Sequence, residues 1–144
     1  MKHTKSLSMI LAATLFAAPA FAATFEVEML NSGTQGKMVF EPYVLKIAVG
    51  DTINFIATDR THNAATIKGM APEGSEKFKG KISKDVEVTF TEEGWYGVQC
   101  VPHFALGMVM TVQVGDAPMP EDFLERRLPP KAKKRFEESL AEAN

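Results

Sequence analysis

The chain has one cysteine, Cys100, in 144 residues. No internal disulfide can form, which excludes a scaffold stapled by cystines. Histidine is nearly as scarce: His3, His62 and His103 complete the set. An excess of one charge is also missing. With 16 basic residues against 18 acidic ones, overall charge gives no case for nucleic-acid binding. The mostly apolar run from Leu7 to Phe16 is too short to span a bilayer, and no stop-transfer segment follows it. No internal repeat is evident.

That run reads instead as part of an export signal. Lys2 and Lys5 supply the positive start, and Ala20-Phe21-Ala22 is an A-x-A cleavage site. Residues 1–22 are therefore set aside as a secretory signal peptide, and the mature chain is expected to begin at Ala23. It has 122 residues, 14 basic and 18 acidic, a formal charge of −4. That length suffices for one domain with a real core. Export implies an oxidising compartment. A lone exported cysteine is buried and inert, reactive, or held by a metal, and the count alone does not choose.

Period-2 alternation runs through most of the mature chain as far as Val114. Phe25, Val27 and Met29 share one face, with Glu26 and Glu28 opposite. Val44–Val49, Thr52–Ala57, Asp85–Phe90, Trp95–Cys100 and Met108–Val114 read as further strands. Gly50-Asp51 suits a tight hairpin turn. Residues 68–84, rich in Gly, Lys and Glu, read as a long excursion with little regular structure. Seven or so short strands with Gly-rich turns predict an all-β antiparallel sandwich. After Gly115 the pattern turns helical. Pro118–Leu128 and Pro130–Ala143 are expected to form two helices, divided by Pro129-Pro130 and docked on the sandwich.

The chemistry is concentrated in Cys100-Val101-Pro102-His103-Phe104-Ala105-Leu106-Gly107-Met108. A thiol, an imidazole and a thioether fall within nine residues, and His62 lies 38 positions upstream of the thiol. Two imidazoles, one thiolate and a weak thioether are the donor set of a blue-copper electron-transfer centre. Cys100 is expected to give the strong thiolate bond, His62 and His103 neutral imidazoles in the same plane, and Met108 the weak axial contact. Cys100 ends one strand and Met108 begins the next. Pro102 stiffens the connecting loop and Gly107 lets it turn. Asn63 is placed to tie the His62 loop to the cysteine loop by hydrogen bonds. Each donor alone also fits a structural role, Cys100 and Met108 in a core and His62 in an ordinary loop. A zinc hydrolase would use the same Cys and two His with water in the fourth position, but a thioether there argues against it. A copper-handling protein uses similar donors.

The pattern resembles the small blue-copper proteins, the cupredoxins: an upstream His after a Gly-Asp-Thr strand, then Cys-x-x-His-x-x-x-x-Met near the end of the sandwich. The loop is similar to that of the plastocyanins and pseudoazurins. Glu26-Val27-Glu28-Met29-Leu30-Asn31, Gly36-Lys37-Met38-Val39-Phe40-Glu41-Pro42 and the helical tail resemble the pseudoazurin branch. The likeness spans essentially the whole mature chain. It implies a Greek-key β-sandwich or barrel of about seven to eight strands over residues 23–115, carrying one type 1 copper ion. Two C-terminal α-helices would pack on it over 116–144. It further implies a periplasmic one-electron carrier rather than an enzyme, and a monomer without stable membrane association. Its redox partners would be a copper nitrite reductase as acceptor and a cytochrome c or similar as donor. The His103 ring edge would be the electron port, set in an apolar surface with Met38, Pro102 and Leu106. Lys37, Lys68, Lys77, Lys79, Lys81 and Lys84 are read as a basic collar around it, with a merely solvated loop as the other reading.

Overall fold

The computed structural model describes residues 21–143. Apart from Phe21 and Ala22, the segment expected to be a signal peptide lies outside the described residues. Eight strands build two four-stranded sheets: β1 (Thr24–Gly33), β2 (Gly36–Glu41), β3 (Val44–Ile47), β4 (Thr52–Ile56), β5 (Ala65–Thr66), β6 (Val86–Thr89), β7 (Gly94–Gln99) and β8 (Val109–Val114). One sheet has the order β2-β1-β4-β6, the other β3-β8-β7-β5. They face one another as an open sandwich and do not close into a barrel.

Alternation dictates the interface. Val27, Met29, Phe40, Ile53 and Phe55 from the first sheet meet Tyr96, Val98, Met110, Val112 and Val114 from the second, all buried in one apolar cluster. Phe55 stands edge-on to Phe40 with ring centres 6.0 Å apart, a favourable aromatic geometry. Residues 67–84 carry no strand or helix, as their composition predicts.

Three expectations fail. The sandwich is not wholly antiparallel: β1 runs parallel to β4, pairing Phe25 with Ile53, and β3 runs parallel to β8, pairing Leu45 with Val112. Gly50-Asp51 is not a hairpin turn. β3 and β4 belong to different sheets, so the chain turns a corner there, held by Gly50 N–H to the Phe90 carbonyl at 2.7 Å. Periodicity fixes which face of a strand is buried, not which strand lies beside it. Finally, Pro118–Leu128 is not a helix. It forms separate turns, with Phe123 N–H on the Pro120 carbonyl and Glu125 N–H on the Asp122 carbonyl, both at 3.0 Å. Pro118, Pro120 and Pro129 bracket too few residues to repay helix nucleation, and Leu128 is biased to extended backbone by the proline after it.

The tail contains one helix, α1 (Pro130–Ala143). Ala132, Phe136 and Leu140 join Val109, Trp95, Met70 and Phe123 in a second apolar cluster. β8 is thus covered on both faces, by the sandwich core on one and by α1 on the other. The buried hydroxyls of Thr111 and Ser139 satisfy one another across that contact at 2.6 Å, as buried polar groups must.

Candidate metal centre

Cys100 follows the last residue of β7, and the chain then winds through a short 3-10 turn, Val101–Leu106. Pro102 sits near its start, and His103, at φ −118° and ψ 17°, breaks the helical geometry. Gly107 closes the turn at φ 87°, a left-handed conformation that glycine adopts without strain. Backbone bonds brace the whole segment: Cys100 N–H to the Met108 carbonyl at 3.0 Å, His103 N–H to the Cys100 carbonyl at 3.2 Å, and Met108 N–H to the His103 carbonyl at 3.2 Å.

His62 arrives from the segment between β4 and β5. Ser83 N–H donates to its carbonyl at 2.8 Å, and the Ser83 hydroxyl accepts Thr61 N–H at 2.8 Å. Thr61 lies at φ 77°, a region that disfavours β-branched residues. Such strain persists only where surrounding contacts over-determine the backbone.

Three donor atoms converge. The imidazole nitrogens (Nδ1) of His62 and His103 are 3.0 Å apart, and the Cys100 sulfur lies 3.7 Å from the first and 3.4 Å from the second. His62 Nε2 sits 2.9 Å from the Asn31 side-chain oxygen. That oxygen only accepts, so Nε2 carries the proton and the lone pair of Nδ1 points inward. The point equidistant from all three atoms is about 2.0 Å from each, which suits a cation bonded to nitrogen at roughly 2.0 Å and to sulfur at roughly 2.3 Å.

The electrostatics agree. Burial, and then the charge of His103, lower the His62 pKa, while Asp59 opposes them; a neutral imidazole is the form that ligates. Burial raises the Cys100 thiol pKa, and the backbone N–H groups of Asn63 and His103 pull it back. Metal binding must therefore expel the thiol proton, leaving a thiolate already provided with two N–H donors. Asn63 joins the two halves: its side-chain oxygen accepts Val101 N–H at 2.9 Å, and its amide donates to the Gly80 carbonyl at 2.9 Å.

His62, Cys100 and Met108 are fully buried, and His103 is half-buried. Met108 continues the inward phase of Met110 and Val112, and its backbone is bonded to both Cys100 and His103. The sequence marks Asn31 only as the last residue of the Glu26–Asn31 segment that resembles the pseudoazurins, with nothing to tie it to His62. Asn31 lies 31 residues from the ring it orients, at the end of a strand that only topology brings there.

Comparison with known proteins places this arrangement. The model of copper binding proteins of the plastocyanin/azurin family matches residues 27–115. The chain belongs to that family and, within it, to the pseudoazurins; its cofactor is copper. It is 51% identical over 141 residues to the pseudoazurin of Paracoccus pantotrophus, covering 96% of this chain and 97% of that one. A putative pseudoazurin of Rhizobium leguminosarum bv. viciae is 46% identical over 127 residues, 88% of this chain and 84% of that one. Among solved structures, pseudoazurin from Methylobacterium extorquens AM1 superposes with a TM-score of 0.80 at 39% identity, over 84% of this chain and 99% of that one.

Proposed function

We propose that this protein is a periplasmic type 1 copper electron carrier, with His62, Cys100, His103 and Met108 as its ligands. The observation that carries the reading is the convergence of two imidazole nitrogens and one thiol sulfur within 4.8 Å, on a framework with one imidazole at the surface. When bound, copper alternates between its +1 and +2 states and so carries one electron. The protein supplies the rest. His62 and Cys100 are held by elements that exclude water and resist rearrangement, which keeps the barrier to electron exchange low. Met108 would supply a weak thioether donor that tunes the potential. His103 alone of the four reaches solvent, so its ring edge is the port.

Around that port Val101 and Leu106 are exposed at 42% and 46%, and Pro102 is exposed beside them. Lys81 and Lys84 flank Ser83, the residue hydrogen-bonded to the His62 loop, and Lys37, Lys68, Lys77 and Lys79 are exposed too. An apolar patch at the port, with exposed lysines beside the His62 loop and along residues 68–84, suits a small, short-lived complex with an acidic partner. A respiratory acceptor such as a copper nitrite reductase, with a cytochrome c or similar protein as the donor to this carrier, fits this requirement. No described helix is long and apolar enough to cross a membrane. The carrier works as a monomer and catalyses no reaction of its own.

Cupric ions added to the purified protein should give an intense blue thiolate-to-copper band, and voltammetry a reversible one-electron couple. Cys100→Ser should abolish the colour. A colourless wild-type protein, or copper that exchanges freely without a reversible couple, would overturn the reading in favour of copper handling. Stopped-flow oxidation by candidate nitrite reductases tests the acceptor.

A further inference from the structure

Asp51 is a carboxylate without a counter-ion. It is 5% exposed, and no Lys, Arg or His side chain among the described residues comes within ion-pair distance of it. One of its oxygens accepts Ala48 N–H at 2.8 Å and the other accepts Ala23 N–H at 2.7 Å. Lys46 lines the same shallow cleft, but its ammonium is engaged by Asp116 at 2.7 Å. The nearest charge on β1, Glu26, is exposed. A buried carboxylate with only amide partners is a costly arrangement, and buried charges are ordinarily paired.

The atom that Asp51 holds is the backbone nitrogen of Ala23, immediately after the A-x-A sequence Ala20-Phe21-Ala22. Hydrolysis of the Ala22–Ala23 peptide bond turns that nitrogen from an amide into a primary amine, protonated at neutral pH. Water supplies the hydroxyl that leaves on Ala22. Ala23 is fixed where this happens, because its carbonyl accepts Thr52 N–H at 2.9 Å. Phe21, on the departing side, is 88% exposed.

We infer that Asp51 is a receptor for the new chain terminus, so that removal of the leader converts an amide contact into a buried ion pair that locks β1 against β4. The inference rests on the export reading of residues 1–22. Its physical consequence is that the processed chain is more stable than any chain extended upstream of Ala23, because extension moves the ammonium away from the carboxylate.

The test begins with N-terminal sequencing of the copper-loaded protein exported from the full-length gene; the first residue should be Ala23. Two chains are then compared, one starting at Ala23 and one released from a fusion to start at Phe21. The Ala23 chain should melt several degrees higher, and its α-amine, followed by NMR after isotopic methylation, should titrate above the ordinary value of about 8. Asp51→Asn should lower the melting temperature of the Ala23 chain more than that of the Phe21 chain and return the amine to about 8. A different first residue overturns the cleavage position, and with it the inference. Cleavage at Ala23 with equal melting temperatures and an ordinary amine titration overturns the ion pair alone. The comparison of the two unsubstituted chains stands even if the Asn variant does not fold.

Discussion

Replacing Asn63 by Ala separates the two loops that form the metal centre while leaving every donor atom in place. Asn63 is 1% exposed and makes two bonds of 2.9 Å, one to Val101 N–H and one to the Gly80 carbonyl. Removing a buried partner costs roughly 1–3 kcal/mol for each group left unsatisfied. Val101 is 42% exposed, so water reaches its N–H more easily and that share belongs at the low end. The total is about 2–3 kcal/mol. In a domain near this length each kcal/mol moves the melting temperature by about 3–5 °C, so the copper-free protein should melt about 6–15 °C lower. The backbone of Asn63 also presents its N–H to the Cys100 sulfur, and a loosened loop holds that donor less well. Copper affinity should fall about 10–100-fold, the range found when groups supporting ligands are removed. Calorimetry of the copper-free protein and competition with a chelator measure the two effects. A melting shift under about 2 °C together with unchanged affinity would show that each loop is positioned independently of Asn63.

Other perturbations separate other parts of the argument. Phe136→Ala removes the centre of the α1 cluster and should destabilise by roughly 3–5 kcal/mol in denaturant titration; a small loss would mean that α1 is not needed to cover β8. Gly107→Ala should lower stability by roughly 1–3 kcal/mol, since the residue lies at positive φ and a β-carbon would come within 2.9 Å of the Lys131 carbonyl. Burial, and then the 2.6 Å bond to Glu142, push the Tyr43 pKa up to about 12. Because the folded state holds this proton more tightly, the contribution is fully present below pH 10 and is lost as pH rises towards 12. It is on the order of 2 kcal/mol, and Tyr43→Phe should remove that part of the stability profile; parallel wild-type and variant profiles would refute it. Lys77→Glu with Lys79→Glu should slow association with an acidic redox partner at low ionic strength and flatten its salt dependence, and unchanged rates would leave the lysines as a solvated loop.

The residues that form the centre were legible because their chemistry is local. Cys100, His103 and Met108 fall within one loop, and the few histidines in the chain left His62 as the upstream candidate. The buried faces were legible for a similar reason: Ile53 and Phe55, or Met110 and Val112, announce by alternation which side turns inward. What alternation does not encode is the neighbour. Leu45 opposite Val112 in parallel, and the corner at Gly50-Asp51, depend on how strands are shared between two sheets. That is a property of the whole chain. The tail shows the limit in another form. Phe123, Leu124 and Leu128 have near-helical spacing, yet the prolines around them deny the segment a helix, and Phe123 reaches the Trp95 cluster from a turn instead. Spacing identifies which side chains must be buried; backbone chemistry decides the conformation that buries them.

The same division explains Asn31 and Asp51. Both stand in segments that the sequence singles out, but nothing there names their partners: Asn31 acts on an atom 31 residues away and Asp51 on one 28 residues away. Asn31 fixes the proton on one nitrogen of His62 and so aims the other at the thiol. Asp51 holds the backbone where β1 begins, and β1 in turn carries Asn31 at its far end. β1 therefore connects Ala23 to the orientation of a buried imidazole. A defect at Ala23 that frays β1 should consequently reach the metal centre as looser control of His62, whereas fraying at the end of α1 should leave that ring undisturbed.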